Sequence, residues 1–443
     1  MPSLKIVEGA DGARSSVLRR DALGTAELPE ALQASIAELW GEPLTAAAHV
    51  ARILEEVERD GDEAVTKFSQ RFDGSSYDAI EVTADEFAEA FAVVSQEQID
   101  AIDFAANRIR QYHREQLRHA PQTFRARGAG MIVQPIQRVG IYMTGSDAAL
   151  PSSVIHTAVP GVVAGADEIF GVTAAQPDGK VSPTKLVAAR FAGIQRVFRA
   201  SGAQGIAALA FGTDTIPRVD KIYGPGNLFV TLAKQQLFGR VGIDAIYGPT
   251  ETLVIADETA SIDLVAADLL AQAEHDRLAT PILLATSRAV AEATAVAIEA
   301  QLEQLERGDI ARAAIERGGA VVVADLAEAV QLSNEFAPEH LCLLVDEPSS
   351  LVPSIRNAGG IFVGESSPEV LGDYTAGPSH VMPTGGSARF ASPLTVMDFL
   401  KVTSVVAFDA HELDRQGPYA ATLARSEGLT AHARSIERRI EGR

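Results

Sequence analysis

Residues 252–285, TLVIADETASIDLVAADLLAQAEHDRLATPILLA, decide the fold class. Thr252–Ala256 and Pro281–Ala285 are short apolar runs rich in branched side chains, as strands buried on both faces require. Between them, Ile262–Glu274 repeats apolar residues at helical spacing. Strand, helix and strand in that order make a parallel unit with a covered crossover. The alternation continues outward. Further strand runs are Val139–Met143, Glu168–Val172, Arg196–Ala200, Ala320–Ala324, Leu341–Val345 and Gly360–Val363, separated by helical patterns such as Ala203–Phe211, Asn227–Phe238, Arg288–Glu306 and Leu326–Phe336. This is too many strands for one small open sheet. The expected fold is α/β, with two Rossmann-like, incomplete parallel-sheet domains over 126–245 and 246–380, parted in the Gly- and Pro-rich stretch Ile222–Pro249.

The flanks read as helix. After a short strand within Met1–Ala10, apolar periodicity marks Ala31–Trp40, Leu44–Phe72 and a longer helix from Ala84 to about Arg118, broken near Ser95. Residues 1–125 are therefore expected as a mostly helical region packed on the core. A C-terminal helical segment, 381–443, closes the chain, with a polar interruption at Glu427-Gly428.

Composition excludes several function classes. Of the 443 residues, 47% are hydrophobic and 22% charged, which is ordinary globular usage. Lys and Arg total 38 against 59 Asp and Glu, a net charge of −21, and such a surface repels a nucleic-acid backbone. The single cysteine, Cys342, rules out an internal disulfide and any zinc site of several thiolates. A metal would have to sit on His, Asp, Glu, Gln or Asn. The start lacks the pattern of a secretory signal, and the apolar run Ala158–Ala166 is too short and too interrupted to span a bilayer. No membrane partner is expected, and the expected location is the cytoplasm.

Open α/β sheets bind ligands at the carboxyl ends of their strands, so the loops after strands are searched first. The fingerprint GxGxxG is absent. Gly224-Pro225-Gly226-Asn227 leads into a helix and could face a phosphate, or could be a tight connection. The basic helix end from Arg108 to His119 needs no ligand, because cations are favourable there. Gln272 and His275 stand three apart at a helix end, where both can address one cation or simply face solvent. Glu339 and His340 follow the helix-breaking Pro338, and both can accept protons. The stretch 372–386, GDYTAGPSHVMPTGG, is loop by composition yet carries Asp373, Tyr374, Ser379 and His380. Glu427 and His432 stand five apart near the end.

Together these segments resemble the L-histidinol dehydrogenase family. The resemblance runs from about Arg138 to His432 and rests on SGAQGIAALAFGT, DKIYGPGN, VGIDAIYGPTETLVIAD, LLAQAEHD, NEFAPEHL, LGDYTAGPSHVMPTGG and SEGLTAHARS, in order. It implies a zinc- and NAD-dependent enzyme for the last two steps of histidine biosynthesis. The family's metal ligands fall on Gln272, His275, Asp373 and His432, a nitrogen and oxygen set that suits zinc. Its acid–base pair falls on Glu339 and His340, and Tyr142, Gln204 and Asn227 match its NAD-contacting positions. The same four ligands, His340, Thr250, His380 and Glu427 match positions that touch substrate, Thr250 standing where a serine is usual. In relatives the tail ligand comes from the partner subunit, which implies a homodimer with shared sites, joined by the C-terminal segment.

The implied chemistry is two successive hydride transfers to two NAD molecules, through L-histidinal and its hydrate. His340 would serve as general base, Glu339 would activate water, and Glu427 would accept the imidazole N–H of histidinol. Cys342, in an apolar strand two residues past His340, is expected to be inert. Two departures stand near the cofactor: Met143-Thr144-Gly145-Ser146 replaces a proline and a Gly-Gly pair, and Leu150 replaces a tyrosine. Rival readings are a related enzyme for another small polar alcohol, such as a sulfonated propanediol, and a non-catalytic, zinc-stabilised dimer. Glu427 would repel an anionic substrate, and the intact Glu339–His340 pair argues for catalysis. A zinc hydrolase fits less well, since no HExxH helix is present.

Overall fold

The computed structural model describes residues 4–20, 28–145 and 149–442. Ser146, one of the departures near the cofactor, lies outside the described residues. Strand β1 (Ile6–Glu8) precedes the N-terminal helices, and β2 (Phe124–Ala126) and β3 (Ala129–Pro135) form a hairpin after them. Strands β4 (Arg138–Tyr142), β5 (Glu168–Thr173), β6 (Arg196–Arg199), β7 (Lys221–Tyr223) and β8 (Gly242–Ile243) build a parallel sheet in the order β6-β5-β4-β7-β8. Strands β9 (Glu251–Ala256), β10 (Thr280–Ala285), β11 (Gly319–Val322), β12 (His340–Leu344) and β13 (Gly360–Val363) build a second. Its order is β1-β11-β10-β9-β12-β13, and every pairing is parallel. Strand β14 (Leu400–Val406) runs antiparallel to β3.

Leaving β1 aside, both sheets follow one order: third, second, first, fourth, fifth in the chain. Each has its switch point between its first and fourth strands, β4 and β7 in one and β9 and β12 in the other. All six residues of β9 are buried, which explains its unbroken apolar reading. Val254 and Ala256 face the helix Ile262–Ala273, while Leu253 and Ile255 pack with Leu332 and Phe336 of the helix Leu326–Phe336 on the other side. A strand so enclosed shows no polar alternation, and helices cover both of its faces.

Some expectations change. The segment Leu44–Phe72 is two helices, Ala46–Asp60 and Asp62–Asp73, parted at Gly61. Gly61 adopts φ of 55°, which a side chain would strain, and Asp62 and Glu63 then favour a new helix start. The break near Ser95 is present, between Ala84–Val93 and Gln96–Arg118. The C-terminal segment is not all helix, because β14 precedes its helical hairpin, Ala410–Ser426 and Thr430–Glu441. The stretch 372–386 is not all loop, since the helix Glu369–Tyr374 takes in its start. Strands β7 and β8 occupy part of the stretch read as a break between sheets.

Candidate active site

A cavity of about 1250 Å³ joins the two sheets. One wall carries Tyr142, Gln204 and Asn227. Tyr142 ends β4, and its hydroxyl accepts from the Gly202 N–H at 3.1 Å. Gln204 is fully buried, and its Oε1 has no partner although it lines the cavity. Asn227 caps the helix Leu228–Leu237, its side chain accepting from the N–H groups of Phe229 and Val230 at 3.1 and 3.2 Å. Those amides, which could have faced a phosphate, are thereby satisfied internally. Gly224, with φ of 113°, lets β7 end close to β4: a Cβ there would lie 2.5 Å from the Tyr142 carbonyl. The departing loop has its own anchor. The buried Lys185 ammonium donates to Thr173 Oγ1 at 3.0 Å and to the Gly145 carbonyl.

The opposite wall carries Glu274, His275 and Tyr374, and the acid–base candidates lie beneath it at the amino ends of β9 and β12. Glu339 and His340, singled out in the sequence after Pro338, thus meet at the amino ends of the strands and not in the loops that follow them. Glu339 Oε2 accepts from Thr250 Oγ1 at 2.7 Å and from the Glu251 N–H at 3.1 Å. His340 Nδ1–H donates to the Glu251 carbonyl at 3.1 Å. A carbonyl only accepts, so this bond fixes the tautomer and leaves Nε2 as a bare acceptor. Nε2 is buried without a hydrogen-bond partner, 4.0 Å from Asp373 Oδ1. Burial pushes the Glu339 carboxyl up to about 8, against the lowering effect of its two donors. Burial also pushes His340 below the ordinary imidazole range, with Asp373 opposing.

The metal-ligand candidates gather only in part. Gln272 is buried, and its Oε1 lies 2.9 Å from Thr250 Oγ1. His275 Nδ1–H donates to the Ala271 carbonyl at 3.0 Å, which leaves Nε2 free to bind a cation. Burial holds the Asp373 carboxyl above its ordinary range, and His340 and His275 lie close enough to oppose that rise. His432 is elsewhere, exposed at the start of the helix Thr430–Glu441, and Glu427 is exposed just before it. Among the described residues, no three His, Cys, Asp or Glu side chains group closely enough to hold a metal ion.

Around the candidates stand neighbours that sequence reasoning missed: His156 beside His380, and Thr252 and Glu369 beside Cys342. His380 Nδ1–H donates to the Asp373 carbonyl at 3.1 Å, and its ring stacks on the fully buried His156, 4.3 Å between centroids. Burial, with His340 nearby, pushes His380 down to about 4. Cys342 does not sit among apolar groups alone. Its thiol reaches Glu369 Oε2 at 3.4 Å, and Thr252 Oγ1 donates to the same oxygen at 2.7 Å. Burial raises both the thiol and the Glu369 carboxyl well above their ordinary values, so the thiol stays protonated. Replacing Cys342 with Ala should leave most of kcat and cost about 1 kcal/mol of stability. A variant that stalled at an aldehyde would instead make the thiol a nucleophile.

The fold and the site define an α/β enzyme, with a cleft between its two sheets and a buried acid–base pair at the amino ends of central strands of the second. The family model for histidinol dehydrogenase matches residues 42–440. The histidinol dehydrogenase of Deinococcus radiodurans is 48% identical over 442 residues, covering 99% of this chain and 100% of that one. That of Geobacter sulfurreducens is 49% identical over 399 residues, covering 88% and 92%. A crystal structure of histidinol dehydrogenase from Elizabethkingia anophelis aligns with a TM-score of 0.90 at 32% identity, covering 100% of this chain and 99% of that one. The chain belongs to the histidinol dehydrogenase family.

Proposed function

We propose that this protein oxidises L-histidinol to L-histidine through L-histidinal and its hydrate, using zinc and NAD, as the last two steps of histidine biosynthesis. The observation that carries this reading is the Glu339–His340 pair: both side chains are buried, both bind the backbone of Glu251, and one imidazole nitrogen is left bare. Gln272, His275 and Asp373 would hold zinc together with His432 from a second copy, whose Glu427 would reach the same site. The donor set fits: it is all nitrogen and oxygen, and His275 already has its outer nitrogen free. The orphaned Gln204 Oε1, Tyr142 and Asn227 would form the NAD wall. When bound, zinc supplies an anchor for the amino and imidazole nitrogens of the substrate, and NAD supplies the hydride acceptor.

His340 Nε2 takes the hydroxyl proton of histidinol as hydride leaves the carbinol carbon. Glu339 then takes a proton from water as the water oxygen adds to the aldehyde carbon, while His340 gives its proton to the carbonyl oxygen, so that the hydrate forms and Nε2 is bare again. His340 removes a hydroxyl proton from the hydrate as the second hydride leaves, and the acid results. One water enters and two NADH form for each histidine. Glu427 accepts the remaining imidazole N–H, a contact worth roughly 1–3 kcal/mol in discrimination.

A steady-state assay with histidinol and NAD tests this reading: two NADH per histidine are expected, and absence of turnover would sink it. Changing Glu339 to Gln removes the carboxylate but keeps a group that can accept from Thr250 and Glu251. Conversion of histidinal to histidine should slow by about 10²–10⁴-fold, with a smaller effect on histidinol oxidation. A Gln variant that matched wild type on histidinal would take the water-activating role away from Glu339.

A further inference from the structure

Glu251 holds both members of the acid–base pair through its backbone, its N–H bound to Glu339 and its carbonyl to His340. Its own side chain is buried, and among the described residues Arg20 binds it. Arg20 Nε and Nη2 bind Glu251 Oε1 and Oε2 at 2.6 and 2.7 Å, a bidentate pair. The same guanidinium donates from Nη1 to the Phe336 carbonyl and from Nη2 to the Ala337 carbonyl at 3.4 Å, and lies 3.6 Å above the centre of the Phe336 ring. Phe336 ends the helix Leu326–Phe336, where a cation favours the exposed carbonyls. Ala337 has φ of 56°, a conformation alanine seldom keeps without support, and Pro338, Glu339 and His340 follow directly. Arg20 thus joins the start of β9 to the turn that delivers the catalytic pair. It precedes the stretch matched by the family model, which begins at residue 42.

We infer that Arg20 is a positioning residue for the oxidation, holding Glu251 so that its N–H and carbonyl set the places of Glu339 and His340. The inference rests on the function proposed above. A buried ion pair is a weak source of net stability, because desolvation offsets its attraction. What four donor contacts from one planar group fix well is geometry. A misplacement of about 1 Å at reacting groups can cost about 10²-fold in rate. The effect should therefore fall on the chemical steps more than on binding.

The test uses the full-length, zinc-loaded enzyme with histidinol and NAD, together with its melting curve and zinc content. Arg20→Met and Glu251→Gln should each lower kcat by about 10–100-fold, with both KM values within about twofold and zinc unchanged. Glu251→Gln keeps the side-chain shape, and it carries the test alone if Arg20→Met does not fold. Arg20→Lys should recover part of the loss. The double variant should be no slower than the worse single variant, since the two changes break one link. If kcat stays within about threefold of wild type while only the melting temperature falls, Arg20 is a scaffold clamp and the inference is wrong. A rise in KM at unchanged kcat, or additive losses in the double variant, overturns it as well. A wild-type enzyme that leaves histidinol untouched overturns the functional reading and this inference together.

Discussion

The His340→Asn enzyme is expected to lose about 10²–10⁴-fold in kcat with histidinol and with histidinal alike. The reason lies in the two ring nitrogens. Nδ1–H is spent on the Glu251 carbonyl, and an asparagine amide can make that bond in its place. Folding should therefore survive, with a melting temperature near that of wild type. Nε2 has no substitute, because no atom of asparagine takes up a proton near neutral pH. Steady-state rates with each substrate, read beside the melting curve, check this. If more than about a tenth of the wild-type rate remained on histidinol, His340 would not be the base.

The second large effect is expected from His432→Ala: loss of bound zinc and of activity, while the molecule keeps its oligomeric size. Asp373 lies near His275, and Gln272 stands one helical turn before His275, but His432 stands exposed on the tail hairpin. Losing one of four proposed protein ligands removes a direct bond to the metal. Affinity should fall by at least about 100-fold, a scale that even outer partners of zinc ligands can reach. Metal analysis after dialysis, with light scattering on the same sample, separates the outcomes. Retained zinc would remove His432 from the ligand set. Loss of zinc together with a fall in particle size would mean that the tail joins the subunits of the proposed dimer as well as holding the metal.

Much of the α/β fold was legible because β9 and β10 flank the helix Ile262–Ala273 in one uninterrupted stretch. Periodicity and burial act there over neighbouring residues. Strand β1 was legible as a strand but not in its place, since its partner β11 lies some three hundred residues on and only tertiary packing selects it. The site divided in the same way. Glu339-His340 could be noticed as an adjacent pair after Pro338, and family resemblance gave it a role. Glu251 could not be found, because it acts through its N–H and carbonyl, which every residue carries. Its importance comes from the parallel register that sets β12 beside β9. Arg20 was hidden for a related reason: an isolated arginine in a basic pair, Arg19-Arg20, gives no sign of a carboxylate met across the fold. Glu369 was hidden by its type, since a glutamate in a Ser-Ser-Pro-Glu stretch reads as surface although it is fully buried.

The tail hairpin carries a consequence for inheritance. Its two helices bury little beyond Gly417, Ala421 and Ala433, and Arg425 ties them together through Glu437 at 2.8 Å. Tyr419 and Leu423 are left exposed. In the proposed assembly, a change in this hairpin is felt at a site that belongs to another polypeptide. Two defective alleles, one altered at His340 and one at His432, would then form mixed dimers in which one site unites a sound body with a sound tail. A cell carrying both could grow where a cell with either alone could not. The unit on which selection acts at this site would be the pair of chains.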